Sequence, residues 1–293
     1  MAFRLSVLFW FEFGRTAAEL LAMSVVSGTT AGYSGIVLAH ELVHCRGRVP
    51  YFLGRLLLMF VCYEQFATEH VRGHHPRLGT HEDPATARFG ESLKDFFRRT
   101  VPAQFKSAWR LEKIRLGDEK MKWTDPWMIR HCVLQGLIAE VLIIAGYLLV
   151  FGPIAMVFFL VQSRTAIMLL ETVNYIEHWG ITRATRTVTP VDSWDTDNAF
   201  TLRTLVGLSR HADHHAQASR PYQQLRHFDE SPKMPLGYYG TILMALVLNE
   251  RYQEYAKTEL RRRGLGPYRA ATEPPTASVD SVQVPIEAVP NAV

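Results

Sequence analysis

Long apolar blocks alternate with polar, charged blocks along this 293-residue chain. Residues 17–39 form the first apolar stretch near the length of about 20 residues that a membrane-spanning helix needs. Residues 133–150 and 154–176 form two further blocks, and the Gly152-Pro153 break between them predicts a helical hairpin. The pattern predicts an all-α fold, a multi-span helical membrane protein.

Two shorter apolar segments do not fit a span. Residues 51–67 contain Arg55 and Glu64, which are easier to accommodate at the membrane surface than at the bilayer centre. We expect this segment to lie along the interface or to dip in and out. Residues 236–248 form a second short apolar patch, which we also expect to be interfacial.

The polar segments complete the predicted domain organisation. Residues 77–130 are rich in Lys and Arg and predict a soluble loop domain, and residues 180–235 are polar again. The tail is rich in Pro, Ala, Thr, Ser and Val with few aromatic residues, which predicts disorder. We therefore expect one membrane-embedded domain at 1–268 and a disordered tail at 269–293.

Charge gives this arrangement an orientation. The formal net charge is +4, and Lys and Arg are dense at 94–130 and 203–226. The positive-inside rule places both loops in the cytoplasm, for a protein integral to the inner or plasma membrane. The sequence has no basic stripe with interleaved aromatic residues, so we expect no nucleic-acid partner.

The cysteines and the N-terminus exclude other classes. Cys45, Cys62 and Cys132 are far apart and form no Cys-x-x-Cys pair, so neither a disulfide framework nor an iron–sulfur or rubredoxin centre is expected within this chain. The apolar start of the chain carries charged residues and lacks a cleavage pattern, so we predict no secretory signal.

Histidines supply the candidate chemistry. Nine of the twelve fall in four groups: His40 and His44; His70, His74 and His75; His178; and His211, His214 and His215. Residues three or four apart on a helix face the same way, so His40 with His44, His70 with His74, and His211 with His214 or His215 can each aim two imidazoles at one metal. The remaining three histidines, His81, His131 and His227, are interpreted as ordinary structural residues.

The number of clustered imidazoles predicts two metal ions. An adjacent His-His pair cannot point both rings the same way, so it can serve two neighbouring ions. Imidazole is a ligand for Fe, Zn and Cu alike. All four groups must lie on one side of the membrane to meet, and the predicted hairpin returns His178 to the side on which it began.

Several polar residues accompany the histidines: Glu41, Glu69, Glu171, Asn174, Glu177 and Asp213. They are candidates to orient the imidazoles by hydrogen bonds or to feed protons. For Glu171, Asn174 and Glu177, inside the last apolar block, the alternative is an interhelical hydrogen-bond network. For the other three it is a solvated or structural carboxylate.

Two competing functions follow from the residues themselves. His-Glu-x-x-His at 40–44 formally matches a zinc-protease motif, which favours a membrane zinc hydrolase but leaves most of the clustered histidines unexplained. A non-enzymatic metal carrier or transporter requires a charged path across the bilayer, which the sequence does not contain.

The flanking residues resemble a known family, the integral-membrane alkane hydroxylases, within the wider fatty-acid desaturase and hydroxylase superfamily. The similar strings are His-Glu-Leu-Val-His at 40–44, Glu-His-Val-Arg-Gly-His-His at 69–75, Asn-Tyr-Ile-Glu-His-Trp-Gly at 174–180, Ser-Arg-His-Ala-Asp-His-His at 209–215, and the runs 82–85, 88–91, 220–226 and 235–238. The resemblance covers roughly residues 30–250.

The resemblance implies a desaturase-like helical membrane fold with a cytoplasmic, non-haem di-iron site. It implies that the nine clustered histidines bind two iron ions and that the enzyme hydroxylates a terminal C–H bond of an alkane. The partners implied are O2, membrane lipid, a hydrophobic substrate, and rubredoxin or ferredoxin as electron donor. Desaturation, fatty-acid decarboxylation and methylarene hydroxylation would use the same site and are alternatives.

The chain departs from the family in two ways. Cys45 stands where the family usually has Lys after the first histidine box. The family also carries further spans before that box, so we expect this chain to lack N-terminal spans. The cationic residues 94–130 are expected to dock an acidic electron carrier, or alternatively to contact anionic lipid.

Overall fold

The computed structural model describes residues 16–269 and is helical throughout that range, apart from loops and two isolated β-bridges. The predicted all-α class is confirmed for these residues. The α-helices are α1 Ala17–Thr30, α2 Val37–His44, α3 Arg48–Met59, α4 Gln65–Glu69, α5 His75–Arg77, α6 Leu93–Arg115, α7 Cys132–His178, α8 Ala199–Thr204, α9 His211–Ala216, α10 Gly237–Val247 and α11 Asn249–Arg263. Two π-helical segments lie among them, Ala31–Ile36 and His70–His74.

The chain divides into two compact units. Among the described residues, the first unit comprises 16–43, Gly47–Thr68 and Ala108–Leu170, and the second comprises His44–Arg46, Glu69–Ser107 and 171–269. The expected disordered tail lies, from residue 270 onward, outside the described residues.

The first long helix begins at a capping box. Thr16 accepts a hydrogen bond from the Glu19 backbone, and the Glu19 carboxylate accepts one from the Thr16 backbone, which satisfies N–H groups that a helix start leaves open. The helix continues through the π-helical Ala31–Ile36 into α2. Ala17–Val43 is long and apolar enough to cross a membrane, as predicted for 17–39.

Helix α7 folds back on itself at Gly152. This residue has φ 85° and ψ 175°, a conformation that glycine adopts readily, and Pro153 follows it. The Tyr147 and Phe159 rings stack with centroids 4.7 Å apart, whereas twelve residues of straight helix span roughly 18 Å. The predicted hairpin is therefore present.

The hairpin exposes its apolar surface. In its most apolar stretch of 18 residues, only 11% of the residues are buried, and the side chain of Leu149 is 82% exposed. The core helix of a soluble protein would bury such residues, so this surface favours contact with lipid.

A buried polar network holds α3 within the first unit. Arg55 pairs with Glu64 and donates a hydrogen bond to the Cys132 carbonyl at 3.0 Å, and Glu140 accepts one from the Glu64 backbone at 2.9 Å. The two charges expected at an interface thus neutralise each other. At 12 residues, α3 is roughly 18 Å long, too short to span a bilayer.

The prediction of a loop domain at 77–130 is wrong for 93–115, which forms the 23-residue helix α6. The Ser92 hydroxyl accepts a hydrogen bond from the Asp95 backbone at 3.2 Å near the start of the helix. The buried stripe of α6 includes Phe96, Thr100 and Gln104, spaced four residues apart. Two of these are polar, so hydropathy alone does not reveal the helical periodicity.

The second unit packs α11 against the end of α7. Tyr175 and Trp179 each donate a hydrogen bond to the Glu91 carbonyl, at 2.8 and 3.1 Å, and Tyr252 donates one to the Ile176 carbonyl. All three side chains are almost fully buried. This packing fixes the segment that carries His178. The predicted apolar patch at 236–248 is the short helix α10.

We predict that Gly28→Ala lowers the free energy of unfolding by about 1–3 kcal/mol, because overpacking forces neighbouring groups apart. A Cβ atom at Gly28 would lie 2.6 Å from Thr165 Cβ and would also overlap the Gln162 carbonyl oxygen. Thermal unfolding in detergent, followed by circular dichroism, measures the effect. The matched control is Gly146→Ala, where nothing lies within 4 Å; equal destabilisation by both changes would contradict the predicted close contact.

Candidate metal centre

The first histidine pair lies on α2. His44 belongs to the second unit, and its ring is 5.1 Å from that of His70 and 4.6 Å from that of His214, centroid to centroid. His40 lies one helical turn earlier and belongs to the first unit, where its ring is 6.5 Å from that of Phe66.

The second histidine box, which contains His70, His74 and His75, is wound as a π-helix over His70–His74. The His75 backbone N–H bonds to the His70 carbonyl, so residues five apart come to the same side. His70 Nε2 and His75 Nε2 lie only 3.1 Å apart. His74 points elsewhere, and the sequence-based pairing of His70 with His74 at one metal is not what this winding produces.

The last histidine group, called the third box, contains His211, His214 and His215 and lies on the six-residue helix α9. His211 Nε2 and His215 Nε2 face each other at 2.7 Å. The adjacent His214 and His215 rings are inclined at 74°, with centroids 5.4 Å apart. As expected for neighbouring residues, the two rings point to different places.

Within the second unit, the ring nitrogens converge in groups whose ligand atoms lie within 4.8 Å of one another. One group contains His44, His70 and His214; a second contains His74, His178 and His215; a third contains Glu177, His178 and His211. His75 lies beside them, with its ring 4.7 Å from that of His44 and 4.3 Å from that of His215. Eight of the nine predicted histidines thus form one cluster.

The donor set fits metal ions. His74 Nε2, both ring nitrogens of His178 and His215 Nδ1 are buried without a hydrogen-bond partner in the structure. A buried polar atom without a partner is costly, and a cation on the imidazole lone pairs removes that cost. The Nε2 atoms of His211 and His215, 2.7 Å apart, and those of His70 and His75, 3.1 Å apart, are each close enough to bind the same cation.

Asp83 is a site residue that the sequence reasoning missed. Its carboxylate accepts a hydrogen bond from His74 Nδ1 at 2.9 Å and another from the Thr86 hydroxyl at 2.6 Å. This contact fixes the His74 tautomer, so that Nε2 offers its lone pair to the cluster. The only sequence signal was its place in the 82–85 string that resembles the alkane hydroxylases.

Glu177 lies among the histidines themselves. Its Oε2 is 3.1 Å from His211 Nε2 and 4.0 Å from His178 Nε2. The Tyr238 hydroxyl lies 2.5 Å from Glu177 Oε1 and 2.9 Å from the Leu208 carbonyl oxygen. The carboxylate is therefore placed to bind a metal as well as to orient an imidazole.

Other predicted polar residues make structural contacts. Asp213 pairs with Arg220 and accepts a hydrogen bond from the Arg226 backbone at 2.7 Å, which ties the following loop to α9. Glu69 pairs with Arg77 at 2.7 Å.

Glu171 accepts hydrogen bonds from Gln104 at 3.0 and 2.9 Å and from Asn174 at 3.2 Å. These bonds correspond to the interhelical network that the sequence left as an alternative. Glu41 lies on α2 beside His40 and is partly buried.

Two of the three histidines outside the four groups, His131 and His227, have partners elsewhere. His131 donates a hydrogen bond to the Trp109 carbonyl at 3.1 Å in the first unit. His227 lies 3.7 Å from Asp195 in the second, and His81 is exposed.

Burial favours the neutral form of His44 and His215. Desolvation, with a smaller contribution from His74, lowers the pKa of His44 to about 4. Desolvation, followed by the neighbouring histidines, also lowers the pKa of His215 well below its usual value. Neutral imidazole is the form that binds metal, so these rings are available at neutral pH.

Together these features are those of a helical, histidine-rich metal-binding protein. The fatty acid desaturase family model matches residues 17–242, and the chain belongs to that family.

Three relatives illustrate the similarity. Alkane 1-monooxygenase 1 of Pseudomonas aeruginosa is 41% identical over 226 residues, which cover 75% of this chain and 58% of the relative. Alkane 1-monooxygenase 2 of the same species is 42% identical over 225 residues, covering 75% and 59%. The xylene/toluene monooxygenase hydroxylase component XylM of Pseudomonas putida is 24% identical over 249 residues, covering 84% and 65%. The matched region thus spans about three fifths of each alkane 1-monooxygenase.

We predict that Tyr238→Phe lowers metal affinity about 10- to 100-fold, as loss of an outer hydrogen bond to a metal site typically does. The change removes the hydroxyl that holds Glu177 Oε1. The measurement is the amount of metal that the protein retains as the concentration of a competing chelator is increased. Tyr239→Phe is the control, since its hydroxyl bonds to Thr204 at 3.0 Å. Equal retention by the two variants, both shown to be folded by circular dichroism, would count against this role of Tyr238.

We predict that the metal-free protein loses stability as the pH falls from 7 to 5. The pKa of His44 is about 4 in the folded protein, against an ordinary value of 6.5, so the unfolded chain binds the proton first as the pH falls. Stability is therefore present above pH 6.5 and is lost as the pH falls toward 4, by about 2 kcal/mol at pH 5 for a shift of this size. Chemical unfolding at the two pH values measures it. A His44→Gln variant with an undiminished pH dependence would contradict the assignment to this residue.

Proposed function

We propose that this protein is a non-haem di-iron monooxygenase that hydroxylates a C–H bond, terminal in an alkane or a similar hydrophobic chain. The observation that carries the proposal is the convergence of eight histidines from four separate segments, seven of them buried and His44 partly buried. The similarity to alkane 1-monooxygenases supports this choice of reaction over other metal chemistry.

The proposed ligands are His40, His44, His70, His74, His75, His178, His211, His214 and His215. Two ions are favoured because the group around His44 and the group around His74 share no residue. His40 is included because it lies one turn before His44 on α2. When bound, the two irons would supply the activation of O2 that the chain's own side chains cannot provide.

The chain's residues would position and protect this chemistry. The clustered side chains of the second and third boxes are buried, which excludes bulk water from the reacting atoms. Asp83 holds His74 in one tautomer, and Tyr238 holds the carboxylate of Glu177 beside His211. Glu177 is the acid best placed to hold a proton at the site.

The proposed setting is the inner or plasma membrane, with the site facing the cytoplasm. The long apolar helices and the exposed apolar hairpin support a multi-span protein. The electron donor would be rubredoxin or ferredoxin, and O2 and a hydrophobic molecule would be the substrates.

Hydroxylation of a methylarene is the second candidate, supported by the similarity to XylM. Desaturation and fatty-acid decarboxylation would use the same residues. A zinc hydrolase at 40–44 would leave the remaining clustered histidines without a role.

Metal analysis and product analysis of the same preparations test the proposal. We expect two irons per chain, with iron and hydrocarbon oxidation both lost in His74→Ala and in His214→Ala. His81→Ala is the control and should retain both, because His81 is exposed and outside the boxes.

Membranes supplied with a rubredoxin reducing system would be given an alkane, a fatty acid and a methylarene. An alcohol from the alkane supports the assignment, whereas products from only one of the other substrates would transfer it to that reaction. One zinc per chain, with no oxygen consumption, would overturn it.

A further inference from the structure

An aromatic and cationic segment, Lys120–Arg130, lies in the first unit and contains none of the clustered histidines. Trp123 is 81% exposed, Trp127 53% and Ile129 76%. Three large apolar side chains exposed within so short a stretch form a patch that water does not favour. Such a patch marks a contact surface.

Buried side chains and hydrogen bonds hold the segment in place. Met121 and Met128 are buried beneath it, and the Asp125 carboxylate accepts a hydrogen bond from the Trp127 backbone at 2.9 Å. Gln135 donates to the Ile129 carbonyl at 2.8 Å, and Arg115 donates to the Arg130 carbonyl at 2.6 Å. The exposed rings are therefore held outward by packing and hydrogen bonds.

The segment leads directly into the apolar hairpin. Helix α7 begins at Cys132, whose backbone N–H bonds to Glu112 at 2.8 Å. Exposed apolar residues begin at Leu137, which lies roughly 8 Å along the helix from Cys132. The segment thus lies at the polar edge of the hairpin's apolar surface.

Its composition suits the boundary between lipid headgroups and acyl chains. Trp is enriched at that depth, where an apolar ring with a polar N–H meets both environments. The Arg130 guanidinium lies over the Trp127 ring at 4.6 Å, and Lys120 and Lys122 of the same segment are exposed.

Charge alone does not select the partner of this surface. Within Lys120–Arg130 the three cations Lys120, Lys122 and Arg130 exceed the single acid Asp125, for a net charge of +2. A positive charge suits anionic lipid headgroups as well as an acidic protein, so the exposed apolar side chains beside the hairpin's apolar surface decide for lipid.

We propose that Lys120–Arg130 is an interfacial anchor that inserts Trp123, Trp127 and Ile129 at the headgroup–acyl boundary of the bilayer. The inference rests on the proposed membrane placement and is independent of the reaction. It removes this part of residues 94–130 from the surface that can dock an electron carrier.

Fluorescence quenching in phosphatidylcholine vesicles tests the anchor. The full-length protein, Trp123→Phe and Trp127→Phe are reconstituted, and each variant's emission is subtracted from that of the six-tryptophan protein. We expect a doxyl group near the headgroup to remove at least about half of the difference emission, and one near the chain terminus to remove less. Acrylamide in the aqueous phase should have little effect. Trp194→Phe is the buried reference, whose difference emission should be shielded from both quenchers.

Three results would overturn the anchor. One is difference emission quenched by acrylamide but not by doxyl lipid, in protein that floats with the vesicles. Another is protection from acrylamide that appears only when an acidic ferredoxin is added, which would assign the surface to a protein partner. The third is protein that does not float with the vesicles at all, which would remove the membrane placement and the anchor with it. Iron content and product formation are measured separately, and they test the proposed reaction independently of the anchor.

Discussion

The cost of burying imidazole nitrogens without partners is the constraint on which this structure depends. His74, His178 and His215 are almost fully buried, and each has at least one ring nitrogen without a hydrogen bond in the structure. Hydrogen bonds within the protein leave these nitrogens of His74, His178 and His215 without partners, and neighbouring ring nitrogens lie as close as 2.7 and 3.1 Å. A cation bound among them satisfies several lone pairs at once, so the fold is complete with metal rather than without it.

Helix winding decides which histidines meet. The sequence revealed the boxes, because residues three or four apart share a helix face, and it also indicated that the adjacent pairs diverge. It did not reveal the π-helix at His70–His74, because that winding leaves no hydropathy signal. The i+5 bond brings His75, and not His74, beside His70, and His70 and His74 belong to different groups of ligand atoms.

The apolar helices were predictable from the sequence, whereas the polar ones were less so. The hairpin at Gly152-Pro153 follows from composition, but α6 buries Thr100 and Gln104 and so appeared to be a loop. Asp83 escaped notice for a related reason: its partner His74 is close in sequence, yet only the fold turns the carboxylate toward the ring. Long-range partners such as Glu177 and Tyr238 are 61 residues apart and require the tertiary structure.

The buried carboxylates have a role that the imidazoles cannot fill. Imidazole ligands are neutral, so a site built from them alone would leave the charge of bound cations uncompensated in a low-dielectric interior. Asp83 and Glu177 are both almost fully buried, and each lies within about 3 Å of a clustered histidine, at 2.9 and 3.1 Å. The negative charge of Asp83 is already stabilised by hydrogen bonds from His74 and Thr86. The buried charge of Glu177, which has the Tyr238 hydroxyl as a hydrogen-bond partner, would gain most from cations bound among the histidines. The carboxylates and the histidines together therefore define a site suited to bound cations.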